Sequence, residues 1–140
     1  MTDNIFLIDS NILVYGFDTS EKSKHRIASE LLEKCFLRKI SYAISIQNLS
    51  EFIVVITKKV ANPISLKETE NIVNKIIEFS GFIKLEPNKN SILRAINLSA
   101  KYNISYWDSL IASVMIENHV YNIYTENTKD FSKIDNINAI

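Results

Sequence analysis

The stretch Asn4-Ile5-Phe6-Leu7-Ile8-Asp9-Ser10-Asn11 decides how the rest of the chain is read. A short run rich in strand-forming apolar residues stops on an acid and two small polar residues, the pattern of a buried strand entering a turn. Residues 42–46, 82–85 and 120–125 read as further short strands. Between them lie helical patterns. Residues 21–39 carry Ile27, Ala28, Leu31, Leu32, Cys35 and Phe36 at helical spacing with Lys and Glu between them. Residues 47–59 form another, closed by Asn62-Pro63, and Ser65-Leu66-Lys67-Glu68 opens a third with a capping-box pattern that runs to Ser80-Gly81. Residues 88–101 and 106–118 complete the set. Strands that alternate with helices predict an α/β three-layer sandwich, with a mostly parallel central sheet flanked by helices. In such sheets functional groups gather at the carboxyl ends of strands.

Composition narrows the function classes. With 140 residues, 46% of them hydrophobic, the chain holds one ordinary core, and a single domain over residues 1–140 is expected. Sixteen basic residues balance sixteen acidic ones. That excludes a globally basic nucleic-acid coat or a polybasic membrane binder, but says nothing about how charge is distributed over the surface. The lone cysteine, Cys35, leaves no intramolecular disulfide and no thiol-based metal site, and fits a reducing cytoplasm with the thiol packed in the core. Residues 1–12 lack the basic start and long apolar region of a signal peptide. The longest later apolar run, residues 52–56, is far short of the roughly 20 needed to span a bilayer, so no membrane association is expected. Two glycines and two prolines leave no flexible linker and no glycine-rich phosphate loop.

Three acids stand out. Asp9 directly follows the first strand, where a parallel sheet presents a side chain to a site; equally, Asp is a favoured N-cap for a short helix beginning near Asn11. Glu51 lies in Leu49-Ser50-Glu51-Phe52-Ile53-Val54-Val55-Ile56, apolar almost all round, where a buried carboxylate needs a cation or several donors; the simpler alternative is a pair with Lys58 or Lys59. Asp108 follows Tyr106-Trp107 and precedes Leu110 and Ile111, and Ser105-x-x-Asp108 also reads as a local cap. If these acids converge at one sheet edge they repel one another and raise each other's pKa, or a cation neutralises them. Oxygen-only ligation suits Mg2+ or Mn2+, which activate water for attack on a phosphodiester.

Four segments in order, Phe6-Leu7-Ile8-Asp9-Ser10-Asn11-Ile12-Leu13, Asn48-Leu49-Ser50-Glu51-Phe52, Trp107-Asp108-Ser109-Leu110-Ile111-Ala112 and Tyr124-Thr125-Glu126-Asn127-Thr128-Lys129-Asp130-Phe131, resemble the signatures of PIN-domain ribonucleases over essentially the whole chain. The size further resembles the toxin half of VapBC-type toxin–antitoxin pairs. The resemblance implies a PIN-like fold in which Asp9, Glu51 and Asp108 are the core catalytic and metal-binding acids. Many family members place an aspartate where this chain has Asn127, so Asp130 is expected as the fourth acid, with Asn127 assisting and a second metal held weakly. Thr125 and Asn11 are expected as supporting polar residues. The implied activity is Mg2+- or Mn2+-dependent cleavage of single-stranded RNA by an activated water. A small antitoxin protein and a second copy of the chain are the implied partners, with the amphipathic segments 21–39 and 66–79 as their docking faces.

The phosphate grip that net charge does not supply is assigned to Lys22, Lys24 and Arg26 in one cluster and to Lys58 and Lys59 in another; each cluster also reads as a solvated helix face. With the four acids offset by bound cations, the RNA-facing side is expected to be positive despite the zero total. Specificity is expected to lie in loops 19–24 and 127–136. Trp107 is read as packing beside the site rather than as a base-stacking platform. Two rivals remain open at this level. His25 and His119 would serve a metal-free scheme, and a catalytically degenerate PIN fold would act only as an RNA-binding or protein-interaction module.

Overall fold

The computed structural model describes residues 5–140. Its centre is a five-stranded sheet in the order β3-β2-β1-β4-β5, built from β1 (Phe6–Ile8), β2 (Tyr42–Ser45), β3 (Phe82–Leu85), β4 (Asn122–Tyr124) and β5 (Asn138–Ala139), with every pairing parallel. The strand expected over residues 4–8 is β1; Asn4, like the rest of residues 1–4, on which the expectation of no signal peptide partly rests, lies outside the described residues. Among the described residues, seven helices connect the strands: α1 (Ser10–Phe17), α2 (Lys22–Phe36), α3 (Ile46–Lys58), α4 (Leu66–Glu78), α5 (Lys89–Tyr102), α6 (Tyr106–Glu117) and α7 (Thr128–Phe131). Among the described residues, no helix is long and apolar enough to cross a membrane.

Side chains alternate across the strands, and the two faces are covered separately. Ile8, Tyr42, Ile44 and Phe82 pack with Leu13, Val14, Leu32, Leu49, Phe52, Ile56 and Ile76 from α1 to α4. Leu7, Ala43, Leu85 and Ile123 pack on the opposite face with Ile111, Ala112, Val114, Met115 and Phe131 from α6 and α7. This is the expected three-layer sandwich. The buried Cys35 lies in the first of these cores, its thiol 3.5 Å from the Gly81 carbonyl oxygen.

Local chemistry explains most element ends. Ser45 and Asn48 form a reciprocal capping box at the start of α3, and Ser65 Oγ accepts from the Glu68 N–H at the start of α4. α5 ends on Asn103 in the left-handed conformation, φ 55°, which asparagine tolerates better than most residues. Two elements fall where the sequence showed only loop: α7, a single turn, and β5, two residues docked on β4 with the Ile140 N–H donating to the Ile123 carbonyl at 2.9 Å. Neither is long enough to carry a periodic pattern.

The topology has one functional consequence. Because all strands run the same way, their carboxyl ends share one edge, and the order reverses between β1 and β4. A crevice opens at such a switch point.

Candidate active site

β1 and β4 pair in register, Ile8 opposite Tyr124, so the next residues, Asp9 and Thr125, emerge side by side at the switch point. Asp9 caps α1: its Oδ1 accepts from the Ser10 N–H at 2.7 Å and from Asn48 Nδ2 at 3.2 Å, while Oδ2 accepts from Thr125 Oγ1 at 2.7 Å. The capping alternative therefore holds, and the same carboxylate also accepts hydrogen bonds from α3 and from the end of β4. The side chain is almost fully buried. Burial pushes its carboxyl up to about 6, the hydrogen bonds from Thr125 and Ser10 oppose that rise, and repulsion from Asp108 and Glu51 adds to it.

Glu51 stands in the second turn of α3. It accepts from Ser10 Oγ at 2.9 Å and from Gln47 Nε2 at 2.8 Å, and among the described residues it makes no ion pair with Lys58 or Lys59. Ser10 Oγ also lies 3.4 Å from Asp9 Oδ1, so one hydroxyl sits between the two carboxylates. Asp108 occupies the third position of α6, whose N-cap is Ser105, and its Oδ2 accepts from Asn127 Nδ2. Burial raises the Asp108 carboxyl above its ordinary value, against the hydrogen bond from Asn127, and the charges of Asp130 and Glu51 raise it further. The Asn127 N–H donates in turn to Thr125 Oγ1 at 3.0 Å. One hydrogen-bonded chain thus runs Asp108–Asn127–Thr125–Asp9–Ser10–Glu51–Gln47. No local pattern in the sequence joins these residues; the sheet does.

The other expected site residues fall around this chain. Asp130, in α7, is close enough to Asp108 to raise its pKa but pairs with Lys133 at 3.4 Å. Asn11 Oδ1 accepts from the Glu126 N–H at 3.3 Å. Lys24 is already engaged: Glu126 Oε1 lies 2.9 Å from its Nζ and the Tyr15 hydroxyl 3.2 Å, and these partners raise its pKa. Lys22 and Arg26 are exposed on α2, and Lys58 is exposed at the end of α3. Lys59 lines both grooves that border Ser10 and Glu51. His25 bonds to the Tyr15 carbonyl and His119 lies beyond the far end of α6 from Asp108, so neither joins the acids.

Trp107 differs from expectation. It is not packed beside the site but 63% exposed, because position 107 on α6 faces outward while Ser109 to Met115 are buried. Sequence reasoning also missed Ser10, Asn48 and Gln47 as holders of the acids. The motif Ser45-x-x-Asn48 carried a signal only for the cap, and nothing local marks the second amide bond to Asp9.

Among the described residues, no three of His, Cys, Asp and Glu stand close enough to form a ready-made metal-binding group. The donor chemistry nonetheless suits a hard cation. All candidate donors are oxygens, they are electrostatically coupled, and wider spacing agrees with an ion such as Mg2+ that retains several waters.

A wholly parallel sheet of this order, with carboxylates gathered at its switch point, defines an α/β protein of the PIN architecture. The PIN-domain family model matches residues 6–137, and the chain belongs to that family. Solved structures similar to it include a toxin–antitoxin complex from Klebsiella pneumoniae, at 24% identity over 94% of each chain with a TM-score of 0.66. VapBC2 from Rickettsia felis, bound to a DNA fragment from its promoter, matches at 20% identity over 97% of each chain with a TM-score of 0.67. VapC20 from Mycobacterium tuberculosis, described as a Sarcin-Ricin loop cleaving toxin, matches at 11% identity over 91% of this chain and 93% of its own with a TM-score of 0.71. A comparison with curated protein sequences gave no significant match.

Proposed function

We propose that this chain is a one-domain, metal-dependent endoribonuclease and the toxin member of a toxin–antitoxin pair. The observation that carries the reading is the hydrogen-bonded chain that ties Asp9, Glu51 and Asp108 together at the β1/β4 switch point. In this reading Asp9, Glu51 and Asp108 hold Mg2+ or Mn2+, with Asp130 as the fourth acid. A bound divalent cation supplies Lewis-acid activation of water and offsets charge at the scissile phosphate.

The chain's own residues do the rest. Thr125 and Ser10 orient the Asp9 and Glu51 carboxylates through their hydroxyls, and Asn127 holds Asp108 until a cation competes for the same oxygen. Lys59 borders the acids and offers a phosphate contact, with Lys22, Arg26 and Lys58 as outlying ones. Lys24 serves this role only if phosphate displaces Glu126. Toxin–antitoxin complexes among the structural neighbours support a small antitoxin as partner. Exposed apolar residues offer docking faces for it or for a second copy, Ile27 and Leu37 at α2 and Ile92, Leu93 and Ile96 on α5, the last a face the sequence reading did not single out.

The test is cleavage of unstructured RNA by purified protein with Mn2+. Cleavage should disappear in EDTA, return with Mn2+, and be lost in Asp9→Ala with the fold retained by circular dichroism. Activity that persists in EDTA, or uncut RNA together with no divalent-ion binding, overturns the proposal. One observation favours the alternative of a degenerate PIN module: the absence, among the described residues, of a ready-made metal-binding group. RNA binding with no cleavage at saturating Mn2+ would establish it.

A further inference from the structure

Trp107 has a position that packing does not explain. Its backbone carbonyl accepts from Gln47 Nε2 at 3.2 Å, and the same amide nitrogen donates to Glu51 at 2.8 Å, so the root of the indole is tied to one of the candidate metal-site acids. The ring meets Tyr106 edge-on, with centroids 5.4 Å apart, and otherwise projects outward. Between it and α3 runs a groove of about 480 Å³ lined by Gln47, Ser50, Glu51, Val54, Val55 and Lys59. That volume lies in the range that takes a small planar ligand. Leaving so large an apolar surface in water is unfavourable, and Val54 beside it is 48% exposed as well. Gln47 lines this groove, and among the described residues its Oε1 is buried without a hydrogen-bond partner, an acceptor that suits a donor on an incoming ring once the amide shifts.

We propose that Trp107 is a stacking platform for one nucleobase of a single-stranded substrate, flanking the phosphate held at the acids, with Lys59 contacting a phosphate further along the same strand. The inference rests on the nuclease reading for its substrate class. The charge pattern favours a nucleic acid over a peptide: an acidic end that needs a cation to receive phosphate, an apolar middle, and a cation at the other end. Glu51 in α3 and Lys59, the C-cap of that helix, are eight positions apart, an axial rise of about 12 Å. That leaves room for a base between two phosphate contacts.

Trp107 is the chain's single tryptophan, so its fluorescence reports this groove alone. Titration with a short single-stranded oligonucleotide carrying a non-hydrolysable phosphorothioate backbone, in the presence of Ca2+, should quench the emission. The same backbone made abasic should not. In cleavage assays Trp107→Ala should raise KM on the order of 10- to 100-fold with kcat little changed, and Trp107→Phe should recover most of the loss, as expected for stacking energy. Equal quenching by the abasic strand, an unchanged KM in Trp107→Ala, or an emission shift that follows protein concentration and ignores the oligonucleotide overturns the subsite, the last by assigning the face to a protein contact. The two readings fail separately. Base-dependent quenching without cleavage removes the nuclease and keeps the platform, whereas cleavage without base-dependent quenching does the reverse.

Discussion

Replacing Asp9 by asparagine separates the electrostatic burden of the site from its function. The native carboxyl holds its proton up to about pH 6, against 3.8 for the ordinary group, chiefly because it is buried. Between those values the folded protein binds more protons than the unfolded chain, so stability falls as pH rises from about 4 to about 6. At about 1.4 kcal/mol per pH unit, the ionised form costs the metal-free fold about 3 kcal/mol above pH 6. The amide of the Asp9→Asn variant does not ionise and escapes this penalty. Its oxygen keeps the bonds from Ser10 and Asn48, but its nitrogen faces Thr125 Oγ1, which had been a donor, a loss of about 1 kcal/mol. In EDTA, Asp9→Asn should therefore be slightly destabilising at pH 4 and stabilising by about 2 kcal/mol at pH 8. Urea denaturation at the two pH values measures the difference directly, and it should approach about 3 kcal/mol. An identical effect at both pH values would refute the reasoning, since it would mean that burial and the neighbouring acids do not disfavour the charged form.

Three further outcomes follow from the same network and its scaffold. Adding Mn2+ at pH 7.5 should raise Tm in the parent protein by an amount that grows with the logarithm of its concentration, and should leave Asp9→Asn nearly unmoved in differential scanning fluorimetry. Asn48→Ala removes a fully buried amide that completes the α3 capping box and also bonds to Asp9, so a loss of about 2–3 kcal/mol is expected in chemical denaturation. Gly16→Ala places a Cβ only 2.3 Å from Leu32 Cδ1, a side chain itself buried in the core; the clash outweighs the gain in helix propensity, and Tm should fall by an amount equivalent to about 1–2 kcal/mol.

The acids themselves were legible. Asp9 after a strand, Glu51 within an apolar helix and Asp108 at a helix start are each conspicuous because a carboxylate among apolar neighbours is expensive. Their holders were not. Ser10 and Asn48 look like ordinary cap residues, and their second role appears only when α1 and α3 are brought to one edge. Lys24 looked like a free cation on a helix face until β4 carried Glu126 to it from the other end of the chain. Trp107 was misread for a related reason. An aromatic residue next to a buried helical segment has the pattern of a core residue, and only the orientation of α6 turns it outward.

The sequence by itself determined the alternation of strands and helices, the three-layer arrangement and the places of the acidic residues. Those depend on periodicity and composition over a few neighbouring residues, which local physics reads directly. Only the tertiary structure decided which hydroxyl and amide covers each carboxylate, how deeply Asp9 is buried, and that Lys24 is paired with Glu126. Those contacts join residues far apart in the chain through the strand order β3-β2-β1-β4-β5. Hydrogen bonds and desolvation act over a few ångströms in space whatever the separation in sequence, so no local pattern records them.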